Sequence, residues 1–310
     1  MKINIIVLNY NGKDLLAECL PSIVESTKNT RFPASVTILD NCSTDNSIQF
    51  LKENFPEVRI FPAFENRVFC SFLQAAQELD EQIIILLNND IKVEKGFIDP
   101  LAEVFMAHKD VFFVSPKCLK FDKKKFEAAK SRWWIEKGMF RSTCLYPGYE
   151  EHIDKQGYNL QTGFGAFSRE KFLELNGYDS LFLPGIMEDA DLCFRAWRKG
   201  YKGYYEPKSI VYHKGQVSFK KAFGEKKIME LAHRNTFLFM WKNLSSARIW
   251  ISHFFWLPIR LVYALLSGNP EFISGFLKAL PRLPQALSRR RPPCDYVLSD
   301  KDLFIIAKSI

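Results

Sequence analysis

An α/β fold with a mostly parallel, Rossmann-like central sheet flanked by helices is predicted by three observations. Short apolar runs alternate with helical periodicity through residues 3–116, the pattern of strands buried on both faces and joined by helical crossovers. Polar residues close three of those runs, as Asn9-Tyr10, Asp40 and Asn88-Asn89-Asp90. In such sheets ligands bind beyond the carboxyl ends of the strands, so these groups are expected on one rim. Finally, 310 residues, 47% of them hydrophobic, supply a large core.

Each element follows from local pattern. Residues 3–8 read as a buried strand and 9–12 as a turn. Residues 13–25 place Leu15, Leu16, Cys19, Leu20 and Ile23 at helical spacing, with Pro21 predicting a break. A second strand at 36–39 ends at Asp40, and the loop 41–47 carries cap chemistry into a helix at 48–54. Residues 58–61 form a third strand, 65–67 a loop and 69–78 a helix. The fourth strand is 82–87. A helix at 97–108 leads to a fifth strand at 111–114, closed by Pro116.

Residues 117–159 are less regular and read as insertion and loop. Their Trp133-Trp134 pair either lines an acceptor groove or plugs the core edge. A strand at 163–167 precedes a helix at 169–175 stopped by Asn176-Gly177. Residues 192–200 read as a helix with a glycine stop. The acids Glu188, Asp189 and Asp191 precede it or open it, and the positive helix end suits an ionised Asp189. Such acids are more often caps than catalysts. A strand at 201–206 follows. His213, after Ile210-Val211-Tyr212, is by itself an ordinary packed or surface histidine.

Composition excludes several classes. The seven cysteines, Cys294 among them, are scattered and odd in number, without a CxxC pair, which suits a reducing compartment. The N-terminal apolar run of about five residues is short for a secretory segment, so no export is expected. No GxGxxG, GxxxxGK[ST] or GxSxG motif is present.

Net charge is +8, yet residues 214–310 hold 16 Lys and Arg against 6 Asp and Glu, so the basic surplus lies in the C-terminal third. Residues 248–266 place Arg248, Ser252, His253 and Arg260 in one sector of roughly 140° on an otherwise apolar helix. Three readings stay open: an in-plane interfacial helix, which we favour, a core helix and a membrane span. Residues 276–287 are amphipathic and broken by Pro281 and Pro284; Arg289-Arg290-Arg291 follows and suits anionic lipid. Exposed aromatics of a nucleic-acid groove are not evident, so no nucleic-acid partner is expected. A short terminal helix is expected within 295–310.

In order and spacing, the segments IIVLNYNGKDLLAECLPSI, VTILDNCSTDNS, ENRVF, ILLNNDIKVEKGFI, TGFGAFSREKFLELNGYDSLF, MEDADLCFRAWRKGY and VYHKG resemble family 2 inverting glycosyltransferases of the GT-A fold. The resemblance is greatest to the bacterial rhamnosyltransferase-like branch that builds surface polysaccharides. It implies a GT-A domain over 1–245, with a nucleotide-sugar half at about 1–116 and an acceptor half at about 117–245. A basic, membrane-associating helical tail at 246–310 follows.

The same resemblance implies that Asn9, Tyr10, Asp40, Asn66, Arg67, Asn88, Asn89 and Asp90 bind the donor, a nucleotide-diphosphate sugar. Asp90 and His213 would hold Mn²⁺ or Mg²⁺, and Asp189 would be the general base. Glu188, Trp133 and Trp134 are assigned to the acceptor side, toward a lipid-linked or growing glycan. The expected location is cytoplasmic, peripheral on the inner face of the plasma membrane. A non-catalytic membrane-bound scaffold and a sugar-nucleotidyltransferase are the alternatives.

Four departures from the family pattern stand out. Val68 replaces a usual glycine, Leu73-Gln74 a usual asparagine, and Asn88 the first Asp of a strict DXD. The segment Leu183-Pro184-Gly185-Ile186 replaces a more usual aromatic run.

Overall fold

The computed structural model describes residues 1–122, 125–215, 217–292 and 295–310. Its contacts divide into two compact units built from interleaved segments. Unit 1 takes Met1–Ser131, Cys144–Tyr178 and Tyr201–Gly215; unit 2 takes Arg132–Thr143, Asp179–Gly200 and Gln216–Ile310.

Unit 1 opens with β1 (Ile3–Asn9), α1 (Lys13–Lys28), β2 (Ala34–Asp40), α2 (Ser47–Asn54), β3 (Arg59–Pro62), α3 (Phe72–Gln77) and β4 (Ile83–Asn88). Continuous apolar runs make β1, β2 and β4, which are buried on both faces, whereas β3 is partly exposed. β1 pairs in parallel with β2 and β4, and β2 with β3. Next come β5 (Ile91–Val93), α4 (Ile98–Ala107), β6 (Val111–Lys120) and β7 (Phe126–Ala128). The chain then gives unit 2 the hairpin of β8 (Arg132–Glu136) and β9 (Met139–Thr143).

It returns to unit 1 for β10 (Gly157–Tyr158), β11 (Gly165–Ser168) and α5 (Arg169–Glu174). After α6 (Glu188–Arg198) of unit 2, β12 (Lys202–His213) completes the sheet. The strand order is β10-β12-β6-β11-β4-β1-β2-β3, with β5 on β12 and β7 on β6. Unit 2 continues with α7 (Val217–Asn243), interrupted by non-helical backbone at Gly224. It ends with α8 (Ala247–Leu266), α9 (Pro270–Ala279), α10 (Leu283–Ser288) and α11 (Asp300–Ser309).

Several expectations are corrected. The sheet is mixed: β11 runs antiparallel between β4 and β6, and the β5, β7 and β10 pairings are antiparallel too. Pro116 does not close a strand; β6 runs on to Lys120. Proline gives the ladder no N–H, and β12 shifts register opposite it, between Glu206 and Ile210. Pro21 does not break α1, whose buried face of Leu16, Cys19, Leu20, Ile23 and Val24 runs past it.

Residues 117–159 are no plain insertion. They contribute four strands and the end of β6, although residues 123 and 124 lie outside the described chain. The expected boundary at residue 245 falls inside unit 2, because α7 packs along α9 and α10. No disulfide joins the six described cysteines, and Cys294 lies outside the described residues.

Candidate active site

The rim of unit 1 is a hydrogen-bonded bracket. Register sets Asn9 of β1 beside Asp40 of β2. Asn9 Nδ2 donates to Asp40 Oδ1 and to Ser43 Oγ, each at 3.2 Å, and Asn89 Nδ2 donates to Asn9 Oδ1 at 2.9 Å. Gly12 makes room for this bracket, since a Cβ there would lie 2.1 Å from Asn89 Nδ2. A second link ties the next loop. Asn41 Nδ2 donates to Asn66 Oδ1 at 2.8 Å, and Ser71 Oγ donates to Asn41 Oδ1 at 2.7 Å.

The residues assigned to donor binding therefore divide. Asn9 is 0% exposed, and its amide is engaged within the bracket. Tyr10 is half exposed, with its ring open to a partner. Asn66 is exposed, and Arg67 pairs with Glu65 at 3.2 Å. Asn88 is half-buried at the end of β4, and Asn89 and Asp90 are buried.

A cluster of titratable side chains adjoins Asp90. β12 carries His213 opposite Ile91 of β5, and Lys214 N–H donates to the Asp90 carbonyl at 3.1 Å. His213 Nε2 lies 3.3 Å from Asp90 Oδ1, and Nδ1 lies 2.8 Å from Glu127 Oε1. Burial alone would lower the His213 pKa; the carboxylates of Asp90 and Glu127 outweigh it and raise it to about 9.

Asp90 Oδ1 is buried and accepts no hydrogen bond from a described residue. An unmet carboxylate oxygen beside an imidazole fits a divalent cation such as Mn²⁺. Cys118 also approaches, its Sγ within 4.8 Å of the donor atoms of Glu127 and His213. Burial pushes that thiol pKa well up, away from the thiolate that metals prefer.

In unit 2, α6 presents three acids in three states. The loop before it holds Ile186 and Met187 in the left-handed region, at φ 73° and 76°. Asn235 of α7 secures that loop, its Nδ2 donating to the carbonyls of Phe182, Gly185 and Ile186 at 2.7–2.8 Å. Asp191 is fully buried; it accepts from Arg195 at 2.8 Å, Lys242 at 2.6 Å and Asn243 at 2.8 Å. Burial would raise its pKa, but Lys242 and Arg195 hold it below the usual carboxylate range.

Glu188 is buried with Oε2 unpartnered among the described residues. Burial, then the neighbouring Asp189, pushes it up to about 8. Asp189 is the partly exposed member, and its Oδ1 accepts the Ala190 N–H at 2.8 Å. Of the three, it is the carboxylate with solvent access.

The tryptophan pair splits as well. Trp133 is 2% exposed and packs on Phe140 and Phe194, so it belongs to the core of unit 2 and not to an acceptor groove. β-strand alternation turns Trp134 outward. Glu127 and Asn235 were missed by sequence reasoning. Glu127 lies in the irregular stretch, and no motif marks Asn235.

This mixed sheet, with its polar strand ends and flanking helices, defines a GT-A fold. The chain belongs to glycosyl transferase family 2, whose description matches residues 4–175. A curated Drosophila melanogaster protein named polypeptide N-acetylgalactosaminyltransferase 10 is 24% identical over 184 residues, covering 56% of this chain and 28% of that protein. The structure of GalNAc-T7 with UDP, GalNAc and Mn²⁺ aligns with TM-score 0.58 and 16% identity, over 77% of this chain and 47% of that one. The Pyrobaculum calidifontis mannosyltransferase PcManGT with GDP-Man and Mn²⁺ aligns with TM-score 0.54 and 16% identity, over 99% and 86%. This chain thus spans less than half the length of the first two.

Proposed function

We propose that this chain is a metal-dependent, inverting glycosyltransferase. It moves one sugar from a nucleotide-diphosphate donor to a hydroxyl of a lipid-linked or growing surface glycan, with rhamnosyl transfer the case its motifs resemble. The observation that carries the reading is the sorting of the acids on α6. Asp191 is held in ion pairs, Glu188 is buried with its pKa pushed up, and Asp189 is the partly exposed one.

Asp189 takes the proton of the acceptor hydroxyl as that oxygen bonds to the anomeric carbon and the bond to the donor diphosphate breaks. A single displacement of this kind inverts the centre, with charge separation like that of glycoside hydrolysis. Asp90 and His213 would hold the cation, which would supply positive charge opposite the departing diphosphate. Tyr10 and Asp40 border the nucleotide. Two of the similar structures hold Mn²⁺, alongside UDP in one and GDP-Man in the other.

The test is a thermal-shift screen against UDP, dTDP, GDP and CMP, with and without Mn²⁺. Ligand binding to the folded state raises Tm by mass action. A Mn²⁺-dependent rise with one nucleotide is expected. No rise with any of them, in folded protein, sinks the reading and favours a non-catalytic scaffold.

We also infer attachment to the cytoplasmic face of the plasma membrane through α8. This helix is long and apolar enough by length and composition to cross a membrane. Its polar side, however, is turned onto the β8–β9 hairpin. His253 Nδ1 contacts the Gly138 carbonyl at 2.9 Å, and Arg260 donates to the carbonyls of Lys137 and Glu136 at 3.1 and 2.7 Å. The opposite side leaves Phe254, Phe255, Val262, Tyr263 and Leu266 between 56% and 83% exposed.

A helix anchored along one side and apolar on the other suits an in-plane position at the headgroup boundary. The Arg289–Arg291 cluster contributes less than its sequence suggests. Arg289 pairs with Asp179, and Arg290 donates to the carbonyls of Trp241 and Leu244.

A further inference from the structure

We propose that Glu127 is a positioning residue for the cation: it holds the His213 ring so that Nε2, and not Nδ1, is presented beside Asp90. The proposal rests on the metal-dependent reading above and adds a residue that no motif marks. Three observations carry it.

First, Glu127 and His213 stand on β7 and β12, on either side of β6, and their side chains meet at 2.8 Å. An ionised carboxylate only accepts, so Nδ1 carries the proton and donates it to Oε1. In the neutral ring this leaves the lone pair on Nε2, the nitrogen 3.3 Å from the unmet Asp90 Oδ1.

Second, Glu127 meets the ring at the nitrogen opposite the one that faces Asp90. One cation cannot sit at both nitrogens, so Glu127 acts through His213. Its other oxygen, Oε2, is buried without a partner among the described residues, which leaves the imidazole as this carboxylate's anchor.

Third, the ring is fenced. The Phe164 ring centroid stands 5.9 Å from that of His213, and β12 pairs with both β5 and β6 at residue 213. A ring with fixed backbone and one fixed nitrogen has its second nitrogen aimed. Carboxylate partners of this kind typically change metal affinity by about 10–100-fold when removed.

The experiment measures Mn²⁺ binding to the full chain by electron paramagnetic resonance. Wild type is compared with Asp90→Ala, His213→Ala, Glu127→Ala, Glu127→Gln, Cys118→Ser and the Glu127→Ala/His213→Ala double variant. Glu127→Ala is expected to weaken Mn²⁺ binding about 10–100-fold. Glu127→Gln keeps an acceptor for the Nδ1 proton and should lose less; it also keeps the test alive if the alanine variant fails to fold. Because Glu127 acts through His213, the double variant should bind no more weakly than His213→Ala alone. Ring ¹⁵N shifts should report a protonated Nδ1 in the Mg²⁺-loaded wild type and its loss in Glu127→Ala.

Binding lost in Asp90→Ala and His213→Ala but unchanged in Glu127→Ala overturns the proposal and leaves the metal reading standing. Losses that add in the double variant also overturn it. So does a Cys118→Ser variant that loses as much as Glu127→Ala, because the cluster of Cys118, Glu127 and His213 is then itself the ligand set. A wild type that binds no Mn²⁺ overturns the metal reading and this proposal together.

Discussion

Lys242 Nζ of α7 lies 2.6 Å from Asp191 Oδ1 of α6, and both side chains are buried. Arg195 approaches the other oxygen of that carboxylate at 2.8 Å. Neutralising Asp191 leaves Lys242 with Asp179, at 2.7 Å, and takes the buried carboxylate from beside Arg195. Asp191→Asn should therefore destabilise the fold by about 3–5 kcal/mol, read as a lower urea midpoint. A midpoint within experimental scatter of wild type would refute the structural role given to Asp191.

Asp189→Asn should behave differently. An asparagine Oδ1 still accepts the Ala190 N–H, so the fold and the Mn²⁺ affinity should be kept. Sugar transfer should fall about 10²–10⁴-fold, the usual range for a lost general base. Steady-state transfer assays beside a melting curve decide it; a variant with full activity would remove Asp189 from the chemistry.

Glu188 sets a pH dependence. Its pKa is about 8 in the folded chain against an ordinary 4.5, so the folded state binds the extra proton. Its contribution to stability is fully present below about pH 4.5, is lost as pH rises toward 8, and is flat above. Relative to Glu188→Gln, which never ionises, wild type should lose stability between pH 5 and 8. Urea midpoints of the two proteins across that range measure the difference, and parallel curves would contradict the buried state of Glu188.

Val68 stands where the family usually places glycine, and its φ is 50°. A β-branched residue in the left-handed region is strained, by roughly 1–3 kcal/mol. Asn66 Oδ1 accepts the Val68 N–H at 3.1 Å, and the Val68 carbonyl accepts from Asn41 at 3.3 Å, so backbone bonds hold the turn whatever its side chain. After the entropy cost of glycine, Val68→Gly should gain about 1 kcal/mol. Chemical denaturation reads it, and a loss of stability would count against strain at this turn.

The membrane reading is tested better by substitution than by truncation. Removing residues 246–310 would take away His253 from Gly138 and Asp300 from Arg198, and so open unit 2. Phe254→Ser with Phe255→Ser should leave Tm unchanged and cut flotation with anionic vesicles about tenfold or more. Flotation equal to wild type would place the contact elsewhere or nowhere.

Much of this was legible in the chain. The strands of residues 3–88 declared themselves because a continuous apolar run between polar turns has few other solutions. Asp40 and Asp90 stand out in the sequence because strand ends are where a parallel sheet presents polar groups. What was illegible depended on distant partners. β11 reads as a strand, but its antiparallel place between β4 and β6 is set by residues some 50 and 80 positions earlier. Trp133 and Trp134 look alike in sequence, and only the hairpin decides which faces Phe194. Glu127 gains meaning from His213, 86 residues away.

The interleaving of the two units also bears on how the chain is made. Unit 1 is complete once Gly215 has emerged from the ribosome. The β8–β9 hairpin of unit 2 has been synthesised long before, yet the His253 that closes on Gly138 arrives 115 residues after it. At roughly 5–20 residues per second that is a wait on the order of ten seconds. For about the first half of it Trp133 lacks the Phe194 that later packs on it, and Phe140 waits longer still for Phe239. Nascent chains stalled before α6 should therefore carry a sticky aromatic hairpin, a natural handle for a chaperone and a point of vulnerability during expression.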